Sequence, residues 1–72
     1  MERKLSTYYS DRGDGYAEVY FDFKEEQANI KYYTDDGKLF YTEDFPGKAI
    51  GYVEDAAENW ALGIKKLEAQ YH

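Results

Sequence analysis

The chain has no cysteine, one proline and one histidine in 72 residues. Without cysteine it can form neither a disulfide nor a thiolate metal site. The histidine is His72, the last residue of the sequence. No internal imidazole is therefore present to complete a catalytic triad or ligate a metal, and Ser6 and Ser10 have no such base to activate them. The sequence also lacks a phosphate-binding glycine loop and a dinucleotide fingerprint. No catalytic residue, cofactor or metal site is expected from this inventory.

Long apolar runs are missing too. Nothing approaches the roughly 18 apolar residues of a membrane span, and Met1 to Ser6 lacks the apolar stretch of a signal peptide. The expectation is a soluble, cytoplasmic protein. Cations are scarce: nine Lys and Arg stand against fifteen Asp and Glu, for a net charge of −6 and a pI near 4.6. This weighs against nucleic-acid backbones and anionic membranes, and suits a basic protein partner.

Tyrosine is abundant. There are nine, and seven of them precede residue 46. A tyrosine ring serves both cores and recognition surfaces, so the direction of each ring carries most of the functional information. At 72 residues the chain makes one domain with a small core. Aromatic mass, 19% of the residues, takes the place of covalent staples, and oligomerisation would be a further support.

Hydrophobic periodicity gives the elements. Ile50, Val53, Ala57, Trp60, Ile64, Leu67 and Tyr71 recur in steps of three and four, one stripe of a helix over about 50–70. Glu54, Asp55 and Glu58 in its first half and Lys65 and Lys66 in its second complement the helix dipole. The three carboxylates are expected on a solvated face, and Trp60 at the centre of the core. Ala17, Val19, Phe21 and Phe23 alternate with polar residues, as do Ala28, Ile30 and Tyr32, the pattern of strands with one buried face. Asp35-Asp36-Gly37 is a hairpin turn. The strands are placed at about 4–10, 16–24, 28–35 and 38–45. The fold class is α+β: an antiparallel meander of three to four strands, with one C-terminal helix packed on one face.

Turn geometry sets the expected register. A four-residue loop of Lys24 to Gln27 pairs Phe23 with Ala28, Phe21 with Ile30 and Val19 with Tyr32. A three-residue loop bulged at Gly37 pairs Thr34 with Lys38 and Tyr32 with Phe40; a two-residue turn would instead turn Tyr41 inward. The core is then Val19, Phe21, Phe23, Ile30, Tyr32, Phe40, Val53, Ala57, Trp60, Ile64 and Leu67. On the opposite face, Tyr20, Lys31 and Tyr41 form one row, Glu18, Tyr33 and Leu39 the next, and Asp22, Asn29 and Glu43 a third. Lys31 lies between two rings, where cation–π contact is available. Tyr20, Lys31, Tyr33, Leu39 and Tyr41 are the candidate interaction surface. A solvated sheet face is the plainer account of the same residues.

Two further motifs resolve more simply. Arg12-Gly13-Asp14 spells a cell-adhesion tripeptide, but without a secretion signal it reads as a turn. The acidic loop Asp11 to Gly15 lacks the alternating spacing of a calcium loop.

Two stretches carry a family resemblance: Tyr32 to Pro46, YYTDDGKLFYTEDFP, and Tyr52 to Lys65, with its run EDAAENW from Glu54 to Trp60. Together they resemble small uncharacterised proteins encoded by T4-like phages of marine cyanobacteria. The resemblance implies a phage origin and expression in the cytoplasm of a bacterial host. It brings no activity, cofactor or site residue. The function expected is a non-catalytic module that binds a protein partner or a second copy of itself through the outer sheet face. The alternative is an acidic mimic of nucleic acid that inhibits a host protein, which requires the carboxylates to gather on one face. Direct nucleic-acid binding, with exposed rings stacking on bases, ranks below both because so few cations accompany the rings.

Overall fold

The computed structural model describes residues 1–67. Four strands, β1 (Glu2–Tyr9), β2 (Gly15–Asp22), β3 (Gln27–Thr34) and β4 (Leu39–Phe45), precede one helix, α1 (Ile50–Ala61). The strands form an antiparallel sheet in the order β1-β2-β3-β4. The helix packs across β1, β2 and β3 on one face. This is the α+β meander that the periodicities predict.

The β2–β3 hairpin keeps its four-residue loop but is shifted in register. Asp22 accepts hydrogen bonds from the backbone N–H groups of Lys24 (2.9 Å) and Glu25 (3.2 Å). This side-chain turn ends the strand one residue before Phe23. The four-residue loop is therefore Phe23 to Glu26, and Phe21 pairs with Ala28, Val19 with Ile30 and Ala17 with Tyr32. The slip is two residues, so each side chain keeps its face. Phe23 leaves the core for the turn, 55% exposed, with its ring edge against Phe21 at 5.1 Å.

The β3–β4 turn forms as expected, but the strand after it does not. Thr34 N–H donates to Lys38 O (2.8 Å) and Gly37 N–H to Thr34 O (2.9 Å). Gly37 takes the positive φ, 88°, that this bulged turn requires. One step further on, Tyr33 faces Leu39 but Tyr32 faces Tyr41, leaving Phe40 as an extra residue. This second bulge reverses the faces of the rest of β4. Without it, Thr42 and Asp44 would lie beneath the helix and Phe45 would face out. With it, Tyr41, Glu43 and Phe45 turn inward and Phe45 is buried. Phe40 still packs partly against the core.

The helix is shorter than its stripe. Gly63 adopts φ 85°, Ile64 N–H reaches back to Asn59 O (2.8 Å) and Gly63 N–H to Trp60 O (3.0 Å). This is a Schellman stop with glycine in the left-handed position. Ile64 is 70% exposed and outside the core, while Leu67 returns to it; Tyr71 and His72 lie outside the described residues. The helix buries Val53, Ala57, Trp60 and Ala61 against Ala17, Val19, Ala28, Ile30 and Tyr32. Trp60 stands edge-on to Tyr32 at 5.1 Å. It is fully buried, and its indole Nε1 has no hydrogen-bond partner among the described residues.

The expected charge ladder along the helix is replaced by contacts from the sheet side. Lys65 and Lys66 fall after α1, and neither end turn of the helix holds a complementary charge. Arg12 supplies the cation instead. It donates from Nη2 to Trp60 O (3.3 Å), its guanidinium lies 5.5 Å from the Trp60 ring centroid, and Asp11 N–H donates to Ala61 O (2.9 Å). Arg12 also pairs with Asp14 at 3.2 Å. The adhesion-like tripeptide is thus tied to the helix C-terminus, where a positive charge is favourable.

Candidate interaction surface

The sheet face away from the helix carries the candidate residues. Tyr9, Tyr16 and Tyr33 lie side by side on β1, β2 and β3, and Leu39 extends the row onto β4. Tyr16 and Tyr33 stack at 4.9 Å with 16° between planes. Tyr9 leans on Tyr16 at 5.7 Å and 46°. Such ring pairs contribute about 0.5–1.5 kcal/mol beyond their buried area. Tyr9 is 72% and Leu39 47% exposed, and the two rings between them are half-buried.

The next rows hold this one in place. Glu18 and Lys31 face each other, with Thr7 and Thr42 outside them. Lys4, Tyr20, Asn29 and Asp44 form the row beyond. Lys31 Nζ sits 4.3 Å from the Tyr20 ring centroid, donates to Glu2 at 2.6 Å and to Asn29 Oδ1 at 3.2 Å. Asn29 Nδ2 completes the link to Glu2 at 2.7 Å. Glu18 accepts from Tyr20 Oη at 2.8 Å and Lys4 Nζ at 3.3 Å. Burial pushes the Glu18 carboxyl up, but these two hydrogen bonds outweigh it and hold it below the ordinary value. Glu2 is lowered chiefly by its bond from Lys31. Burial, then the bond to Glu18, raises the Tyr20 phenol far above its ordinary value; burial and the charge of Glu18 raise Tyr33.

Of the five candidates, Tyr20, Lys31, Tyr33 and Leu39 share the outer face, and the contact between Tyr20 and Lys31 is present. Tyr20 is diagonal to Lys31 rather than in its row, because of the two-residue slip. Tyr41 does not belong here: the bulge at Phe40 carries it to the helix face, where it leans on Tyr32 at 5.9 Å. Glu43, expected outside, also lies inward and accepts from Tyr32 Oη (3.0 Å) and Lys65 Nζ (2.7 Å). Tyr9 and Tyr16 are the residues sequence reasoning missed. The bulge between Lys4 and Ser6 carries Tyr9 to the outer face, which simple alternation along β1 does not show. For Tyr16 the available signal is alternation, since it stands two residues before Glu18 and four before Tyr20 on the same face of β2.

The helix carboxylates separate. Glu54 faces β1, accepting from Ser6 Oγ (2.6 Å) and Tyr8 Oη (2.5 Å), so it is not on a solvated face as expected. Its hydrogen bond, with burial, raises the Tyr8 phenol. Asp55 and Glu58 are exposed. The remaining acids spread over both ends of the sheet, in the turns at Asp11, Asp14, Asp35 and Asp36 and at Glu25 and Glu26. With Asp22 at the end of β2 and Asp44 on β4, the acids of the described residues form no single acidic face. Among the described residues no cluster of acidic, histidine or cysteine side chains is placed to hold a metal, and no helix is long and apolar enough to cross a membrane.

A second, open cleft of about 510 Å³ lies between β4 and α1, lined by Glu43, Phe45, Tyr52, Asp55, Ala56, Asn59 and Lys65. Of its charged groups, Glu43 and Lys65 pair at 2.7 Å, and Asp55 adds a further carboxylate.

No family model matches the chain, and no curated protein or solved structure matches it.

Proposed function

We propose that this protein is a non-catalytic binding module that presents the outer face of its sheet to a partner protein. The observation carrying this reading is the row Tyr9, Tyr16, Tyr33 and Leu39, which the helix leaves uncovered on the far side of the sheet. Pre-organised rings offer contact area at low entropic cost. The hydrogen-bonded lattice of Glu2, Lys4, Glu18, Tyr20, Asn29 and Lys31 fixes the ground beside them. The carboxylates of that lattice are held low by their hydrogen-bond donors, Lys31 for Glu2 and Tyr20 and Lys4 for Glu18, the opposite of the raised acid that proton-transfer chemistry uses.

A partner other than a second copy fits the charge. Two chains of −6 repel, and Asp35 and Asp36 sit in the turn that borders the row. The phage origin implied by the sequence resemblance would make that partner a phage or host protein in the bacterial cytoplasm. The nucleic-acid-mimic reading draws on the net charge but finds no single acidic face among the described residues.

Selection from a displayed random-peptide library tests the proposal, because it requires no choice of partner in advance. Enriched peptides are expected to lose about tenfold or more in affinity for Tyr33→Ala/Leu39→Ala, the size of a hot-spot truncation. They should bind Tyr52→Ala, altered on the helix side, as they bind the parent. Peptides indifferent to the first pair and sensitive to Tyr52→Ala would overturn it. Sedimentation equilibrium is expected to show a monomer; a dimer abolished by Tyr33→Ala/Leu39→Ala would replace the partner with a second copy.

A further inference from the structure

We infer that the end of the tyrosine row is a receptor for one arginine side chain of the partner, an inference that rests on the sheet face being the contact surface. At this end of the sheet the β1–β2 and β3–β4 turns lie side by side. Between them is an open cleft of about 210 Å³ lined by Tyr9, Ser10, Gly13, Gly15, Tyr16 and Asp35. That volume is below the roughly 300–1,000 Å³ of small-molecule sites, and has room for a single long side chain.

The lining specifies which side chain. Tyr9 and Tyr16 are tilted by 46° at 5.7 Å, so they offer two ring surfaces at an angle rather than a closed stack. Ring faces attract cations, and a planar guanidinium also stacks on them. Asp35 adds a carboxylate, and among the described residues no ion pair engages it. The glycines Gly13 and Gly15 present backbone without side chains in the way. Of the other acids near the sheet face, Glu18 pairs with Lys4, Glu2 with Lys31 and Asp14 with Arg12, while Asp11, Asp36 and Asp44 do not line the cleft. Asp35 is thus the carboxylate that lines this cleft, with no ion pair to another described residue. The net charge of −6 favours a cationic segment at longer range.

Two ring contacts and one exposed ion pair make a weak site by themselves. It would act as a specificity element within the larger contact along Tyr33 and Leu39. Arginine is favoured over lysine because its fork matches a carboxylate while its plane lies on a ring.

The test is an NMR titration of the ¹⁵N-labelled full chain with three glycine-flanked peptides carrying arginine, lysine or citrulline. The arginine peptide is expected to shift the amides of Tyr9, Ser10, Tyr16 and Asp35 saturably, more tightly than lysine. Citrulline, which keeps the shape and loses the charge, is expected to give no saturable shift. Asp35→Asn, at an exposed turn position, should weaken arginine binding about two- to fivefold, and Tyr9→Ala by about fivefold. Added salt should weaken it further. Equal shifts from citrulline and arginine, an unchanged affinity in Asp35→Asn, or saturable shifts only elsewhere would overturn the assignment. The peptide selection separates this outcome from failure of the contact surface: enriched peptides that need Tyr33 and Leu39 but lack arginine remove the receptor and leave the surface.

Discussion

Arg12 shows how much one side chain can hold together in a chain this small. It joins the β1–β2 turn to the end of α1 through the Trp60 carbonyl and the Trp60 ring. Replacing it with alanine is expected to cost about 1–2 kcal/mol, the sum of a helix-terminus cation and a partly exposed cation–π contact. Arg12→Lys should recover part of this, and denaturant unfolding measures both. The tyrosines give a second residue-scale prediction. The phenols of Tyr8, Tyr20, Tyr32 and Tyr33 are all raised, Tyr8 chiefly by its bond to Glu54 and the others chiefly by burial. In the unfolded chain they ionise near about 10, so their contribution is whole below that pH and is lost as the pH climbs above it. Glu2, Asp14 and Glu18 are held low. Their contribution is whole above the ordinary carboxylate range of about 4 and is lost as the pH falls below it. The unfolding midpoint in denaturant should therefore form a plateau with both an acid and an alkaline fall. A midpoint that stays level well above about pH 10 would contradict the tyrosine assignments.

Elements were legible where a local pattern decides them, and illegible where one residue breaks it. Four strands and one helix follow from periods of two and 3.6, and the Asp35-Asp36-Gly37 turn from its own residues. The bulge at Phe40 comes from competition between the turn register and burial of Phe45. Its signal was present in the sequence, since continuing the turn's register puts Asp44 inside and Phe45 outside. The helix stop was not legible from the periodicity, which predicts a helix over about 50–70 where α1 ends at Ala61. The apolar stripe runs on past Gly63 through Ile64 and Leu67, and the left-handed conformation of Gly63 ends the helix within it. Gly63→Ala should cost about 1–3 kcal/mol, because an alanine strains the left-handed conformation, and its Cβ would meet Arg12 Nη1 at 3.0 Å. Gly63→Asn should cost less, since asparagine tolerates that region. Thermal unfolding of the two variants compares them directly. Equal losses would mean that the crowding, and not the backbone, sets the cost.

At the scale of the whole molecule, one sheet face makes the core and the other is left to make contacts. The sheet edges are poor candidates for that role. Both edge strands carry a bulge, and they hold the charged residues Glu2, Arg3, Lys4 and Asp44, features that discourage pairing with another strand. The open face offers instead a continuous row of rings bordered by a neutralised polar lattice, and an uncommitted carboxylate at one end. The affinity of library-selected peptides for Tyr33→Ala/Leu39→Ala, measured beside the unfolding free energy of the same variant, tests this division most directly. The account predicts binding reduced by about tenfold or more in a variant that still folds cooperatively, with Tyr52→Ala unchanged. Undiminished binding to the folded variant would contradict it.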